Sequence, residues 1–165
     1  MITKSEINNT RNTPTMHPHT RTLIEIIKQT VDQEIISIII FGSAATGHFK
    51  KESDIDILII VKEYNEPVCK EYWKQIKKEG YQTLGIPIDS IFAEENALND
   101  VTSSFYLDVI ADGKVIYEKG ILDRNIFKRH NIPPTSTGGV RIGWRISDVI
   151  KHQPIEKSID LLKNQ

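Results

Sequence analysis

Apolar residues begin to recur every three or four positions at Thr20. This spacing predicts an amphipathic helix, with the Thr20 hydroxyl placed to cap its first turn. The apolar positions of this helix are Leu23, Ile26, Ile27 and Val31. Two short runs rich in β-branched residues follow, at 35–41 and 55–61. Apolar runs of this length, interrupted only by Ser37 and Asp56, predict strands that are buried on both faces.

Between and after these runs, the chain continues to alternate between helical and extended patterns. We expect a short helix opening at Ser43, and a longer one that opens at residues 65–67 and stops at Gly80. The later elements are a strand at about 86–92, a helical stretch at 94–111 and, after Gly113, a strand at 114–118. This order predicts an α/β (α+β) fold, in which helices pack against one mixed, mainly four-stranded sheet.

The length of 165 residues suits one domain with a core of its own. We expect a flexible N-terminal arm at 1–19, the folded domain at 20–119 and a C-terminal extension at 120–165. The extension carries eight Lys or Arg residues against four Asp or Glu residues, and a helix is expected from about Ile155. It is too short to form a second independent domain.

Composition excludes several classes of function. The formal net charge of −1 argues against a surface that coats nucleic acid, because such binding needs an excess of Lys and Arg. No apolar run approaches the roughly 20 residues that span a bilayer, and the N-terminus lacks the apolar core of a signal peptide. The single Cys69 suits a reducing compartment. We therefore expect a cytoplasmic protein without a membrane or nucleic-acid partner.

Candidate chemistry is concentrated in acidic residues at the heads of two predicted strands. Asp54 and Asp56 are two positions apart, so their side chains point to the same face of a strand. Neighbouring carboxylates repel each other unless a cation lies between them. Asp89 lies on a later strand, and three such acids would form the oxygen-ligand cluster that Mg²⁺ prefers.

A small turn lies just before these acids. Gly42 and Ser43 close the first apolar run and open the predicted short helix, where backbone N–H groups can receive phosphate. Glycine leaves room for a phosphate to approach closely, because it has no side chain. Together, the turn and the acids indicate metal-dependent chemistry on a nucleotide, in which two Mg²⁺ ions would activate an attacking oxygen and neutralise a triphosphate. Asp89 would complete the metal site or accept the proton of the nucleophile.

The residues Gly42-Ser43, ten further residues and then Asp54 and Asp56 match a known pattern without a gap. The chain resembles the DNA polymerase beta-like nucleotidyltransferase superfamily, and within it the minimal nucleotidyltransferases that act as antitoxins beside HEPN-domain toxins. The resemblance covers about residues 20–119 and implies the nucleotidyltransferase fold. It also implies transfer of AMP from ATP to a hydroxyl, here a tyrosine of the cognate toxin, which would thereby be silenced.

One difference from the family concerns positive charge. Many relatives carry arginines just after Gly-Ser, where this chain has Ala44 and Thr46. Lys50 or Lys51 could supply the missing charge, and the sequence does not decide between them.

Other interpretations remain open. The three acids could be solvent-facing residues of strands or loops, and Tyr72, Trp73 and Ile76 are expected in the core or at an interface. The same chemistry could modify a small molecule such as an aminoglycoside, although such enzymes carry a larger acceptor-binding region. The chain could also be a non-catalytic antitoxin that inhibits by occlusion. Arg141, Trp144 and Arg145 of the basic extension could contact a partner.

Overall fold

The structure is a computed structural model that describes residues 17–100, 102–119, 132 and 134–144. Most of the expected N-terminal arm and the helix expected from Ile155 lie outside these residues. Among the residues described, no helix is long and apolar enough to cross a membrane.

Four strands form the central sheet, in the order β3-β2-β1-β4. Strand β1 pairs antiparallel with both β2 and β4, whereas β2 pairs parallel with β3. The mixed four-stranded sheet is therefore confirmed, and three of its strands have the bounds that the apolar runs predict. The strands are β1 (Ile35–Phe41), β2 (Ile55–Val61), β3 (Ile88–Glu94) and β4 (Lys114–Glu118).

Helices cover the sheet on both faces, as expected for an α/β fold. Their bounds are α1 (Thr20–Thr30), α2 (Ser43–Thr46), α3 (Glu66–Leu84) and α4 (Ser104–Asp112), with a 3₁₀ helix at Glu95–Asn99. On one face, Ile27 of α1 and Ile76 of α3 share a buried cluster with Ile57. On the other face, Val109 of α4 packs in a cluster with Leu58. Consecutive residues of β2 from Ile57 to Val61 thus enter opposite core layers, which explains why this part of the strand is apolar throughout.

Helix α3 is longer than the glycine signal indicates. Gly80 was expected to stop it, and this prediction is wrong: the helix continues to Leu84 and ends at Gly85, whose φ of 66° is left-handed. Gly80 lies inside the helix because it packs directly on Ile88 of β3, where a Cβ would collide with the end of the Ile88 side chain. The glycine permits close packing of helix on strand and does not form a cap.

Three smaller expectations are also corrected. Thr20 is the first residue of α1 and not its N-cap, and its hydroxyl donates to the carbonyl of His17 at 2.6 Å. The third strand lies two residues later than expected. The helical stretch expected at 94–111 is divided into the 3₁₀ helix and α4, and the Ser103 hydroxyl caps α4 by accepting from the Tyr106 N–H at 3.5 Å.

A two-stranded hairpin follows the sheet, formed by β5 (Pro134–Thr137) and β6 (Val140–Trp144). Gly138 and Gly139 form its turn with φ values of 57° and 78°, a conformation that favours glycine at both positions. The hairpin is attached to α4, because Arg141 forms ion pairs with Asp108 and Asp112. Sequence patterns gave no prediction of this contact.

Candidate active site

Gly42 connects β1 to α2 with a φ of 64° and a ψ of −148°, a conformation that other residues rarely adopt. Its carbonyl accepts from the backbone N–H groups of Ala45 and Thr46 at 3.1 and 3.2 Å, which fixes the first turn of α2. A Cβ added to Gly42 would lie 2.5 Å from Oδ2 of Asp56. The absence of a side chain at Gly42 therefore makes room for the Asp56 carboxylate. Ser43 follows at the first position of α2 and is half-buried.

The sheet brings the predicted acids together across strands. In the antiparallel β1–β2 pair, Asp56 lies opposite Phe41, and in the parallel β2–β3 pair it lies opposite Asp89. Adjacent strands are about 4.8 Å apart, so Asp56 and Asp89 are direct neighbours on the sheet. Asp54 lies just before β2 and is exposed, as is Asp89, whereas Asp56 is half-buried.

Electrostatic repulsion acts on the central acid. Burial raises the pKa of the Asp56 carboxyl above its usual range, and the charges of Asp89 and Asp54 raise it further. Carboxylates that repel one another in this way are stabilised by a divalent cation between them. The chemistry of this donor set therefore fits a hard oxygen-binding ion such as Mg²⁺.

The side chains nevertheless do not form a complete ligand set in this conformation. Within residues 17–100, 102–119, 132 and 134–144, no three His, Cys, Asp or Glu side chains are arranged to hold one metal ion. The Oδ1 atom of Asp89 accepts a hydrogen bond of 3.2 Å from the indole N–H of Trp73. The metal-ligand roles of Asp54, Asp56 and Asp89 remain predictions.

Trp73, which sequence reasoning placed in the core or at an interface, contacts one of the predicted site residues. Its ring is half-buried on α3, and Lys77 Nζ lies 5.0 Å from the ring centroid. The contact with Asp89 joins residues that are 16 positions apart on two elements, so no local spacing could have revealed it. Only the packing of α3 across β3 brings the indole to the carboxylate.

The turn that carries Lys50 and Lys51 is ordered by Ser53. The Lys50 N–H donates to Ser53 Oγ at 2.9 Å, and the Ser53 N–H donates to the Lys50 carbonyl at 3.0 Å. Both lysine side chains are exposed. Their expected contact with phosphate stays a prediction.

Comparison with known proteins agrees with the observed fold. A family model described as "Nucleotidyltransferase domain" matches residues 20–110. Two proteins of Methanocaldococcus jannaschii, each named "Putative protein adenylyltransferase", are similar in sequence. MJ0604 is 32% identical over 95 residues, which cover 57% of this chain and 90% of that protein. MJ0141 is 42% identical over 62 residues, which cover 33% of this chain and 61% of that protein.

The fold is also similar to a solved structure described as "Crystal structure of the toxin-antitoxin with AMP-PNP". The TM-score is 0.50 with 16% sequence identity, covering 87% of this chain and 96% of that one. At this identity the likeness concerns the fold alone. The family match covers more than half of the chain and includes Gly42, Ser43, Asp54, Asp56 and Asp89. The chain therefore belongs to the nucleotidyltransferase domain family and is a nucleotidyltransferase.

Proposed function

We propose that the chain transfers AMP from ATP, with Mg²⁺, to a tyrosine hydroxyl of a HEPN-type toxin and thereby acts as its antitoxin. The position of Asp56 between Gly42 and Asp89 carries the proposal, because it places the neighbouring acids directly beside the turn at the start of α2. The names of the two M. jannaschii relatives support a protein as the acceptor. The toxin–antitoxin description of the structural neighbour supports the kind of partner.

Asp54 and Asp56 would hold two Mg²⁺ ions, and of the two roles open to Asp89 we assign it the acceptance of the proton. When bound, the ions would neutralise charge on the triphosphate and lower the pKa of the attacking hydroxyl. The charge repulsion at Asp56 supports this role, since a cation would relieve it. Gly42 and Ser43 would bind the terminal phosphates through the backbone at the start of α2.

The reaction exchanges one phosphorus–oxygen bond for another. The acceptor oxygen forms a bond to the α-phosphorus of ATP, and the bond from this phosphorus to the bridging oxygen of the β-phosphate breaks. Pyrophosphate leaves with the electron pair, and Asp89 accepts the hydroxyl proton. The hydrogen bond from Trp73 would position the Asp89 carboxylate for this step.

The test is transfer of labelled AMP from α-labelled ATP to a candidate toxin with a HEPN domain, in the presence of Mg²⁺. We expect label on a tyrosine of that protein, located by mass spectrometry. The variant Asp54→Ala/Asp56→Ala should abolish transfer, whereas Glu71→Ala/Glu79→Ala, which removes two exposed acids of α3, should not. Transfer that persists in the aspartate variant would contradict the proposal.

A toxicity assay with the same variants separates catalysis from occlusion. If the chain acts by transfer, Asp54→Ala/Asp56→Ala should fail to neutralise the toxin while still binding it. Full neutralisation by this variant would show instead that binding alone inhibits the toxin.

A further inference from the structure

A cleft of about 390 Å³ opens beside the Gly42 turn. It lies between the end of β1, helix α4 and strand β6, outside the set of acids described above. Six of its lining residues carry the argument: Phe41, Gly42, Phe105, Asp108, Asp112 and Arg141. The volume is within the range of pockets that bind small molecules.

The cleft is continuous with the candidate active site. Gly42 contributes to both, since it lines the cleft and also makes room for Asp56. Phe41, which lines the cleft, lies opposite Asp56 in the β1–β2 register. A nucleotide whose phosphates lie at the Gly42 turn can therefore extend its remaining part into this cleft.

One side of the cleft is apolar and aromatic. The rings of Phe41 and Phe105 meet edge to face, with their centroids 5.3 Å apart. Val109 lies beside them and is buried. A planar base can pack on such a surface, because aromatic rings offer apolar area in fixed orientations.

The other side is an ordered polar cluster. Arg141 contacts Asp112 and also lies 3.2 Å from Asp108, while the indole N–H of Trp144 donates to Asp108 at 2.8 Å. The guanidinium of Arg141 lies 4.6 Å from the centre of the Trp144 ring. Asp108 and Asp112 are held in place but remain 55% and 40% exposed, so both carboxylates can accept further hydrogen bonds.

The charge of this cluster decides which part of a nucleotide it fits. Two carboxylates and one guanidinium leave a net negative charge, which repels a triphosphate. Hydroxyl and amino groups, in contrast, can donate hydrogen bonds to carboxylates. A nucleoside offers both, on its ribose and on its base, together with an apolar ring face.

We propose that this cleft binds the nucleoside part of the ATP that supplies AMP. The base would pack against the ring of Phe105, and a hydroxyl or amino group of the nucleoside would donate a hydrogen bond to Asp108. Arg141 and Trp144 position the Asp108 carboxylate from the hairpin. The assignment rests on the proposed nucleotidyl transfer and identifies where the nucleotide is selected. The β5–β6 hairpin thereby becomes part of the substrate site.

Calorimetry with two ligands tests the assignment. Mg²⁺-ATP carries the nucleoside, and Mg²⁺-tripolyphosphate carries only the phosphates. We expect Asp108→Asn and Phe105→Leu each to weaken ATP binding about tenfold, the effect of one lost charge-assisted hydrogen bond or stacked ring. Tripolyphosphate should bind both variants at least as tightly as it binds the unsubstituted chain. Glu71→Gln, which removes an exposed carboxylate on α3, should change neither affinity.

Each other outcome contradicts the assignment. Equal weakening of ATP and tripolyphosphate would show that the cleft serves phosphates. Unchanged ATP binding in both variants, with transfer intact, would exclude the cleft as the nucleoside site and leave the proposed function standing. Failure of the unsubstituted chain to bind ATP would contradict both proposals. A thermal melt of each variant checks that it is folded.

Discussion

The carboxylate of Asp56 occupies the space that a side chain at Gly42 would fill, since a Cβ there would lie 2.5 Å from Asp56 Oδ2. Gly42 also adopts a φ of 64°, which strains any other residue. We expect Gly42→Ala to lower the free energy of unfolding by about 2–3 kcal/mol and to abolish nucleotidyl transfer, because Asp56 must move. Denaturant titration and the labelled-ATP assay measure the two effects.

Gly47→Ala is the matched control. Gly47 has a φ of 81°, but nothing lies within 4 Å of a Cβ added there. The Gly47→Ala substitution should lower the free energy of unfolding by about 1 kcal/mol through backbone strain and leave transfer intact. Equal losses of stability and of transfer activity in Gly42→Ala and Gly47→Ala would show that the contact with Asp56 has no effect of its own.

The raised pKa of Asp56 makes stability depend on pH. The folded state binds this proton more tightly than the unfolded chain does, so the stabilisation is complete below the usual value of 3.8. It is lost as the pH rises through the raised pKa. Asp56→Asn carries no charge at any pH, so we expect it to be more stable than the unsubstituted chain at pH 7 and equally stable at pH 3. Urea unfolding at several pH values, with a chelator present, measures the difference. A difference that does not change with pH would contradict this explanation.

Mg²⁺ should stabilise the folded chain through the acids. An ion that binds only the folded state raises the free energy of unfolding by about 1.4 kcal/mol when its free concentration is tenfold above its Kd. We expect a corresponding rise in the melting temperature of the unsubstituted chain, and none in Asp54→Asn/Asp56→Asn. A potassium salt at equal ionic strength is the control for screening. Equal stabilisation of the double variant would place the bound ions elsewhere.

The hydrogen bond from Trp73 to Asp89 should affect catalysis more than folding. Trp73→Phe keeps an aromatic ring on α3 and removes the donor that lies 3.2 Å from Asp89. We expect kcat to fall by up to about tenfold, the effect of one hydrogen bond, while the affinity for ATP is unchanged. Lys77→Met, which removes the cation near the same ring and keeps the indole N–H, should leave kcat unchanged. A change in ATP affinity without a change in kcat would contradict the positioning role of Trp73.

Gly80→Ala tests the close packing of α3 on β3. Alanine favours a helix by about 1 kcal/mol over glycine, but overpacking a core costs about 1–3 kcal/mol. We expect a net loss of stability and reduced transfer, because the displaced Ile88 immediately precedes Asp89. The loss should be smaller in an Ile88→Ala background, where the collision is relieved. Additive effects of Gly80→Ala and Ile88→Ala would exclude direct contact as the cause.

Sequence patterns correctly predicted those strands whose bounds depend on neighbouring residues along the chain. Strands β1, β2 and β4 follow from apolar runs bounded by polar residues or glycine, and each has the predicted bounds. The spacing of Asp54 and Asp56, together with the Gly42 turn, indicated nucleotide chemistry, and the family match agrees. Their individual roles stay predictions.

The errors concern positions where distant contacts override local signals. Gly80 reads as a helix stop, yet it lies inside α3 and packs against Ile88 on another element. Arg141 reaches Asp112 across 29 positions, and no periodicity in the sequence encodes such a contact. The 94–111 stretch was predicted as a single helix because its apolar spacing continues past Asp100, where the backbone leaves the helical conformation.

The parallel pairing of β2 with β3 has a consequence for the order of folding. Asp56 and Gly42 are joined by a short connection, whereas Asp89 reaches Asp56 only after the crossover through the 19-residue helix α3 has closed. Closure of such long loops is slow compared with the formation of local structure. We therefore expect Asp54 and Asp56 to lie beside the Gly42 turn before Asp89 joins them. A chain in which β3 has not yet paired with β2 would lack the predicted cluster of three acids.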